Sequence, residues 1–305
     1  MRVVFMGTPS YATTILEALF KDTDIEVVLV VTQEDKPVGR KQVLTPPHIK
    51  AWLLEQDLHV EIFQPKSLRS EEAQLKIASY QPDFIVVAAY GQILPKVVLD
   101  IAPCINLHAS LLPKYRGASP IQSTLLANET YAGVTSMLME EGLDTGAMLG
   151  FLYLKIEPEH NASILFETLA NLAAELTRVT LKNFTSLSPL TQMSANATHC
   201  KKIKKEDGLI SFEQSAKSIL TRYKALSPWP GLFIESGLKL LELELFNHED
   251  EAVFGVIKEI KSEGVVITCK QGCILLKTLQ PISKNAMNAL DYIRGKRLNI
   301  GDTLV

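Results

Sequence analysis

The chain has 305 residues, of which 47% are hydrophobic and 21% are charged, and its formal net charge is −3. That length suits two domains better than one, and the composition excludes disordered and collagen-like chains. The small negative charge excludes a protein that coats nucleic acid over its whole surface, so any RNA contact must come from a local basic patch.

The sequence predicts neither a membrane segment nor a metal site. No apolar run reaches the ~20 residues that span a bilayer, and residues 1–7 resemble a short strand rather than a signal peptide. The four cysteines form no Cys-x-x-Cys pair and have no histidine at ligand spacing. We therefore expect free thiols, no metal and a cytoplasmic location.

Strands and helices alternate in the first half of the chain. Nearly continuous apolar runs predict strands, and apolar residues at helical spacing predict the helices between them. The predicted strands cover 2–6, 25–32, 59–63, 84–89 and 104–108, and the helices include 48–55 and 71–79. This order predicts an α/β fold with a Rossmann-like, doubly wound and mostly parallel sheet. Ligands bind beyond the carboxyl ends of such strands, so the turns after Met6, Ala89 and His108 should meet at one crevice.

The pattern changes in the second half. Strands at 133–139 and 147–156 and a helix at 163–184 complete a first domain, which we predict to span residues 1–188. Residues 189–207, which are rich in Ser, Thr and Lys, predict a linker. Short strands with period-two alternation dominate the remainder, which indicates a C-terminal β-barrel of the oligonucleotide-binding type over residues 208–305.

Asn106 and His108 are the strongest candidates for chemistry. Residues two apart on a strand point the same way, so an amide and an imidazole project together, a pair suited to stabilising an oxyanion. Asp144, between Gly142 and Gly146, can supply the carboxylate that orients the imidazole. Taken alone, each feature also fits a structural histidine or an ordinary turn.

Two basic segments are candidate phosphate-binding sites. The connection 33–47 is long for a βα loop and carries Lys36, Arg40 and Lys41. The linker ends in a second cluster that includes Lys204 and Lys205. A solvated loop and a solvated linker are the alternative interpretations of these charges.

Several longer segments resemble one enzyme family, the methionyl-tRNA formyltransferases, along essentially the whole chain. The segments are Phe5-Met6-Gly7-Thr8-Pro9, Ala89-Tyr90-Gly91, Asn106-Leu107-His108-Ala109-Ser110-Leu111-Leu112-Pro113, Tyr115-Arg116-Gly117-Ala118-Ser119-Pro120-Ile121-Gln122, Gly142-Leu143-Asp144-Thr145-Gly146 and Pro228-Trp229-Pro230. The Asn-x-His, Ser-Leu-Leu-Pro and Gly-Leu-Asp-Thr-Gly segments mark the wider group of enzymes that use 10-formyltetrahydrofolate. Ser10 and Ser119 depart from the commoner residues of the family, but neither belongs to the candidate trio.

The resemblance implies a function for each candidate. It implies that Asn106, His108 and Asp144 form a catalytic trio. It also implies that the partners are 10-formyltetrahydrofolate and initiator methionyl-tRNA, and we expect the protein to be a monomer. The implied folate-binding residues are Ser110, Leu111, Leu112, Pro113, Ala89, Tyr90 and Gly91. The expected tRNA-binding residues are Lys36, Arg40, Lys41, Lys204 and Lys205.

Three other functions are weighed against this one. A formyltransferase or hydrolase that acts on a small amine or on water would use the same trio, but it would not need the basic loop or the barrel. A non-enzymatic RNA-binding protein would not need Asn106, His108 and Asp144. A nicotinamide dehydrogenase would carry a Gly-x-Gly-x-x-Gly turn after its first strand, where this chain has Gly7-Thr8-Pro9.

Overall fold

The structure is a computed structural model that describes residues 1–39, 41–250 and 253–304, with the side chains of residues 248–250 left out. The chain forms two compact units. The first comprises Met1–Pro120, Thr130–Ile156 and Ile164–Lys201, and the second comprises Ile121–Glu129, Glu157–Ser163 and Lys202–Val305. Both units are therefore discontinuous in sequence.

The secondary structure up to residue 201 follows the predicted alternation. The strands are β1 (Arg2–Gly7), β2 (Glu26–Val31), β3 (Lys36–Val38), β4 (Val43–Thr45), β5 (Ile62–Phe63), β6 (Phe84–Ala88), β7 (Cys104–His108), β8 (Arg116–Gly117), β9 (Tyr131–Leu138), β10 (Met148–Lys155) and β11 (His199–Cys200). The helices are α1 (Ser10–Phe20), α2 (His48–Glu55), α3 (Glu71–Ser79), α4 (Lys96–Leu99), α5 (Pro120–Leu126) and α6 (Ala162–Asn183). Short 3-10 turns cover Phe184–Ser186 and Ser194–Asn196.

Seven strands of the described residues form one sheet in the order β10-β9-β7-β6-β1-β2-β5. The five strands from β7 to β5 pair in parallel, whereas β9 and β10 pair antiparallel at one edge. The predicted α/β fold with a mostly parallel sheet is confirmed. The chain places β2 and β5 on one side of β1, then β6 and β7 on the other, and this reversal creates the crevice where doubly wound sheets bind ligands.

Burial explains why the apolar runs form the centre of this sheet. Val3, Val4, Phe5 and Met6 of β1 have no exposed surface, as expected for a parallel strand that is covered on both faces. Each such side chain contributes about 1.5–3 kcal/mol when it leaves water. The carboxyl ends of β1, β6 and β7 are therefore held side by side on a rigid base, with Gly7 opposite Ala88 and Val87 opposite Asn106.

Two predicted segments differ from the structure. The third predicted strand, 59–63, is reduced to the two residues of β5, because this edge strand pairs only where Ile62 and Phe63 meet β2. The long basic connection is not an unstructured loop, since β3 and β4 form an antiparallel hairpin within it.

The second unit contains an antiparallel sheet. Its elements are α7 (Ala216–Leu226), β12 (Leu232–Phe233), β13 (Lys239–Asp250), β14 (Ile257–Lys261), β15 (Gly264–Thr268), β16 (Gln271–Gln280), β17 (Met287–Asn288) and α8 (Ala289–Lys296), preceded by a 3-10 turn at Lys205–Gly208. Strand order is β12-β13-β16-β15-β14, with β17 beside β16. Within the described residues no pairing joins β12 to β14, so the structure shows an antiparallel sheet and not a closed barrel.

Candidate active site

Asn106 and His108 lie at the carboxyl end of β7, which is held between β6 and β9. Asn106 pairs with Val87 of β6 and Met137 of β9, and His108 lies opposite Thr135. Only 8% of Asn106 and 6% of His108 is exposed. Because the two residues are two apart on one strand, their side chains leave the same face of the sheet.

Asp144 brings its carboxylate to both of these side chains. The Asn106 amide nitrogen Nδ2 donates to Oδ1 of Asp144 at 3.3 Å, and Nδ1 of His108 lies 3.6 Å from Oδ2. The backbone N–H of Gly117 donates to the same Oδ2 at 2.8 Å. The structure thus brings together all three residues predicted as the catalytic trio.

The backbone around Asp144 follows an unusual path. Asp144 itself has a φ of 54°, in the left-handed region that Asp tolerates better than most residues. A Cβ at Gly146 would lie 1.8 Å from the carbonyl oxygen of Leu138, so this position accepts only glycine. The two glycines that drew attention to this segment therefore permit a turn that aims the carboxylate at β7.

The imidazole of His108 is held by a hydrogen bond at one nitrogen and faces a carboxylate with the other. Nε2 lies 2.9 Å from the carbonyl oxygen of Tyr115, an acceptor, so Nε2 carries a proton in this contact. Nδ1 faces the Asp144 carboxylate at 3.6 Å, a distance longer than a hydrogen bond. A neutral ring can donate to only one of these oxygens, whereas an imidazolium can donate to both.

The segment Ser110–Pro113 forms an ordered turn directly after His108. Ser110 donates through Oγ to the carbonyl of Lys114 at 2.6 Å, and Thr135 Oγ1 donates to the Ser110 carbonyl at 2.7 Å. The N–H of Leu112 donates to the same Thr135 hydroxyl at 3.1 Å. Ser110 and Leu112 are buried, whereas Leu111 and Pro113 are partly exposed. Of the predicted folate-binding residues in this turn, Leu111 and Pro113 therefore present accessible surface.

The segment Ala89–Gly91 follows β6 at the neighbouring strand end. Tyr90 is 1% exposed, and burial raises the pKa of its hydroxyl to about 12. That hydroxyl has no hydrogen-bond partner among the described residues, and neither does the buried hydroxyl of Thr145. Tyr90 belongs to a hydrophobic core cluster that includes Met6 and Val87, so the exposed part of this segment is Ala89 and Gly91.

The predicted tRNA-binding residues lie in both units. Lys36 and Lys41 are exposed on the β3–β4 hairpin of the first unit, where the Lys36 ammonium donates to the Gln33 side chain. Lys204 and Lys205 are exposed in the second unit, beside the 3-10 turn. Arg40 lies outside the described residues.

Two buried residues that the sequence did not single out support the Asp144 turn, Gln192 directly and Arg116 through Gln192. Gln192 donates to the carbonyls of Asp144 and Gly146, and Arg116 donates to the Gln192 side chain. Arg116 belongs to a segment that carries the family resemblance, and this resemblance is the sequence feature that could have pointed to it. Gln192 lies in the predicted linker, where no pattern marked it.

Two classes of feature are not found within the described ranges. Residues 1–39, 41–250 and 253–304 contain no group of three or more His, Cys, Asp or Glu side chains placed to hold a metal ion. In the same ranges, no helix is both long enough and apolar enough to pass through a membrane.

Comparison with known proteins defines the class of this site. Residues 1–179 match the formyl transferase family, and residues 202–297 match the C-terminal domain of formyl transferases. The chain is 55% identical over 303 residues to the methionyl-tRNA formyltransferase of Nitratiruptor sp., and 50% identical over 304 residues to that of Wolinella succinogenes. These alignments cover 99% and 100% of this chain and 99% of each relative. The chain belongs to the methionyl-tRNA formyltransferase family, and it is a one-carbon group transferase.

Solved structures show the same fold at low sequence identity. The sugar 3N-formyl transferase WlaRD, crystallised in the presence of dTDP and 5-N-formyl-THF, has a TM-score of 0.66 at 19% identity, covering 93% of this chain and 99% of that one. HypX from Aquifex aeolicus in complex with tetrahydrofolic acid has a TM-score of 0.65 at 14% identity, covering 100% of this chain and 49% of HypX.

Proposed function

We propose that this chain transfers the formyl group of 10-formyltetrahydrofolate to the α-amino group of methionine carried by initiator tRNA. The observation that carries the proposal is the full-length identity of 50–55% to methionyl-tRNA formyltransferases in a chain whose Asn106, His108 and Asp144 meet in one buried cluster. Family membership indicates formyl transfer, and the residues of the cluster suit its chemistry.

The acceptor amine needs little activation. An α-amino group has a pKa of ~7.7–8.0, and the ester bond to tRNA lowers that pKa by electron withdrawal. Much of the nucleophile is therefore neutral near pH 7. The harder tasks are to align the two substrates and to stabilise the negative charge that develops on the formyl oxygen.

Asn106 and His108 provide the donors for that oxygen. Asn106 gives one amide N–H to Asp144 at 3.3 Å and has a second N–H that can donate to the reacting oxygen. The other donor is Nδ1 of His108 in its imidazolium form, because Nε2–H is engaged by the Tyr115 carbonyl while Nδ1 lies 3.6 Å from Asp144, beyond hydrogen-bond distance. The Asp144 carboxylate orients the ring, balances its charge and receives the proton that the attacking amine releases, directly or through water. The same proton then passes to N10 of tetrahydrofolate as the bond between N10 and the formyl carbon breaks, so the transfer balances.

The turns at the ends of β6 and β7 form the proposed folate site. Ala89, Tyr90 and Gly91 follow β6, and the turn Ser110–Pro113 follows β7, so both segments lie at the carboxyl edge of adjacent strands. Leu111 and Pro113 are partly exposed and offer apolar surface to a ring system, and Ala89 and Gly91 are exposed at the end of β6.

The basic residues and the second unit form the proposed tRNA-binding part. Lys36 and Lys41 on the hairpin, Lys204 and Lys205 near the start of the second unit, and Arg40, which lies outside the described residues, would contact phosphates. The proposal includes a catalytic domain at 1–188, a linker at 189–207 and a C-terminal domain at 208–305. It also includes an oligonucleotide-binding type of fold for that last domain, a monomeric state and a cytoplasmic location.

Transfer of labelled formyl from 10-formyltetrahydrofolate to methionine-charged initiator tRNA, with free methionine as competitor, tests the proposal. We expect label on the charged tRNA alone. Labelled free methionine would indicate a small-molecule acceptor, and loss of formyl from the folate without a labelled acceptor would indicate a hydrolase.

A further inference from the structure

The side-chain amide of Gln192 uses its whole hydrogen-bonding capacity next to the candidate active site. Its Oε1 accepts from Nε of Arg116 at 3.0 Å and from Nη2 of Arg116 at 2.8 Å. Its Nε2 donates to the carbonyl oxygen of Asp144 at 2.9 Å and to that of Gly146 at 2.8 Å. Two acceptor sites and two N–H donors are all that a glutamine amide has.

Arg116 determines which way this amide points. A guanidinium can only donate, so the amide oxygen must face Arg116 and the amide nitrogen must face the two carbonyls. Gln192 is 5% exposed and Arg116 is 6% exposed, so water does not compete for these contacts. A flipped amide would place oxygen against two carbonyl oxygens, which the buried site disfavours.

The two carbonyls belong to the turn that positions the catalytic carboxylate. Asp144 has a φ of 54°, and a turn in this region needs outside support to persist. The backbone N–H of Gly117, the residue after Arg116, donates to Oδ2 of Asp144 at 2.8 Å. Asp144 is thus held by its main chain through Gln192 and by its side chain through Gly117.

We infer that Gln192, oriented by Arg116, is a positioning residue for formyl transfer that acts through Asp144. The inference rests on the proposed function. Gln192 lies 48 residues after Asp144 in the chain and 76 after Arg116, within the segment 189–207 that also carries Lys204 and Lys205. A segment expected to serve as a connector therefore completes the support of the catalytic turn.

Gln192→Met tests the inference, because methionine keeps the length of the side chain and removes all four hydrogen bonds. Since a small misplacement of a catalytic group can cost on the order of 10²-fold in rate, we expect kcat to fall about 10²-fold. The KM for the folate and the KM for charged tRNA should stay within about twofold, because Gln192 contacts neither proposed binding surface. Gln74→Met is the matched control, since Gln74 also donates to a backbone carbonyl, that of Leu68, away from the site.

A double-mutant cycle with Asp144→Asn distinguishes an effect of Gln192 on the position of Asp144 from an effect on the stability of the whole protein. If Gln192 acts only through Asp144, then adding Gln192→Met to Asp144→Asn should lower kcat no further. If Gln192→Met lowers kcat by the same factor in the wild-type enzyme and in Asp144→Asn, the inference is overturned. A wild-type kcat in the single variant Gln192→Met would also overturn it. Wild-type enzyme in the same assay reports on the proposed function separately, because its failure to formylate charged tRNA would refute that function whatever the variants do.

Gln192→Glu is the second variant, and it tests the positioning role of Gln192 if the methionine variant fails to fold. Glutamate keeps the volume and the contact with Arg116 but replaces the two N–H donors by an oxygen that faces the carbonyls of Asp144 and Gly146. We expect a loss of kcat similar to that of the methionine variant, with KM again unchanged. Full activity in Gln192→Glu would overturn the inference.

Discussion

Asn106 and His108 obtain their roles from the strand that carries them. Their side chains leave the same face of β7 and meet Asp144 in a buried site, where 3.3 Å and 3.6 Å separate its oxygens from Asn106 Nδ2 and His108 Nδ1. Hydrogen-bond donors that are fixed in a site of low dielectric are worth more than donors in water, because they need no reorganisation as charge develops.

Asn106→Ala removes one of these donors without creating a large cavity. Loss of one oxyanion donor costs on the order of 10²–10³ in rate, so we expect kcat for formyl transfer to fall by about that factor. Steady-state kinetics with charged initiator tRNA measures it, with Asn183→Ala as the control because the Asn183 side chain donates to the carbonyl of Val179 within α6. Wild-type turnover in Asn106→Ala would remove Asn106 from the mechanism.

Gly117→Ala should displace the N–H that holds Oδ2 of Asp144. Gly117 has a φ of 121°, and an added Cβ would lie 2.2 Å from the carbonyl oxygen of Cys200. The backbone must shift, and we expect kcat to fall at least about tenfold as the carboxylate loses its donor. Gly295→Ala is the control, because no atom lies within 4 Å of a Cβ built there. Unchanged kinetics in both variants would contradict the assigned role of this N–H.

Sequence could predict Asn106 and His108 because the period of a strand relates positions two apart. Asp144 could be proposed from the glycines that flank it, but only the folded chain shows that its carboxylate reaches Asn106 and His108 on β7. Gln192 could not be predicted, because its bonds to the Asp144 turn are to backbone carbonyls, and carbonyls carry no residue-type pattern. The contact of Nε2 of His108 with the Tyr115 carbonyl was unpredictable for the same reason.

Among the elements, the β3–β4 hairpin is the clearest candidate for contact with RNA. Its base is held by Lys50, whose Nζ lies 2.9 Å from both carboxylate oxygens of Asp35 and 2.8 Å from Oε1 of Gln64. A hydrogen bond from Gln64 and the Lys50 ammonium hold the pKa of Asp35 below its usual range. The hairpin thus presents Lys36 and Lys41 from an anchored base.

Replacing Lys36 and Lys41 by alanine should weaken binding of charged tRNA and flatten its dependence on salt. Each lost phosphate contact removes about 0.7–0.9 from the slope of log K against log salt concentration. Filter binding at several salt concentrations measures this slope, and the KM for the folate should not change. Lys96→Ala is the control, since Lys96 pairs with Asp100 on α4. An unchanged slope in the hairpin variant would place the tRNA elsewhere.

Hydrophobic periodicity in the sequence predicts elements that have one buried face, and it does not predict elements that lack one. Helices α2 and α3 have the predicted bounds, because Ile49 with Leu53 and Ala73 with Ile77 recur at helical spacing on a buried face. Every residue of β3 and β4 is exposed, so hydrophobic periodicity carries no signal for that hairpin.

Over the whole first unit, Asp22 joins two distant parts of the chain. Its buried carboxylate lies 2.8 Å from Nε of Arg178 and 2.9 Å from Nζ of Lys182, so the end of α1 is tied to α6. The hydrogen bond from Lys182, followed by that from Arg178, lowers the pKa of Asp22 from 3.8 to about 2.

This shift predicts a pH-dependent contribution to stability. Because the folded pKa lies below the unfolded one, the contribution is complete above about pH 4 and is lost as the pH falls through about 2. After screening of the exposed Arg178 and Lys182, we expect Asp22→Asn to lower the free energy of unfolding by about 1–2 kcal/mol at pH 6 and by less at pH 3. Urea unfolding at both pH values checks this, and a difference that does not change with pH would contradict the assignment.

For the whole molecule, sequence predicted the α/β class of the first unit and the β-rich character of the second. Period-two alternation at Leu241, Leu243 and Leu245 indicates that a strand has two unlike faces, and β13 contains all three residues. Alternation does not specify whether the two end strands of a sheet pair with each other. Closure into a barrel was therefore beyond what the sequence could predict.

The most direct test of the account is a single-turnover measurement of formyl transfer from 10-formyltetrahydrofolate to methionine-charged initiator tRNA by wild-type enzyme and by His108→Ala. We predict complete transfer by the wild type and a rate at least about 10²-fold lower in the variant, with folate binding retained. No transfer by the wild type, or equal rates for the two proteins, would contradict the claim that the cluster of Asn106, His108 and Asp144 performs this reaction.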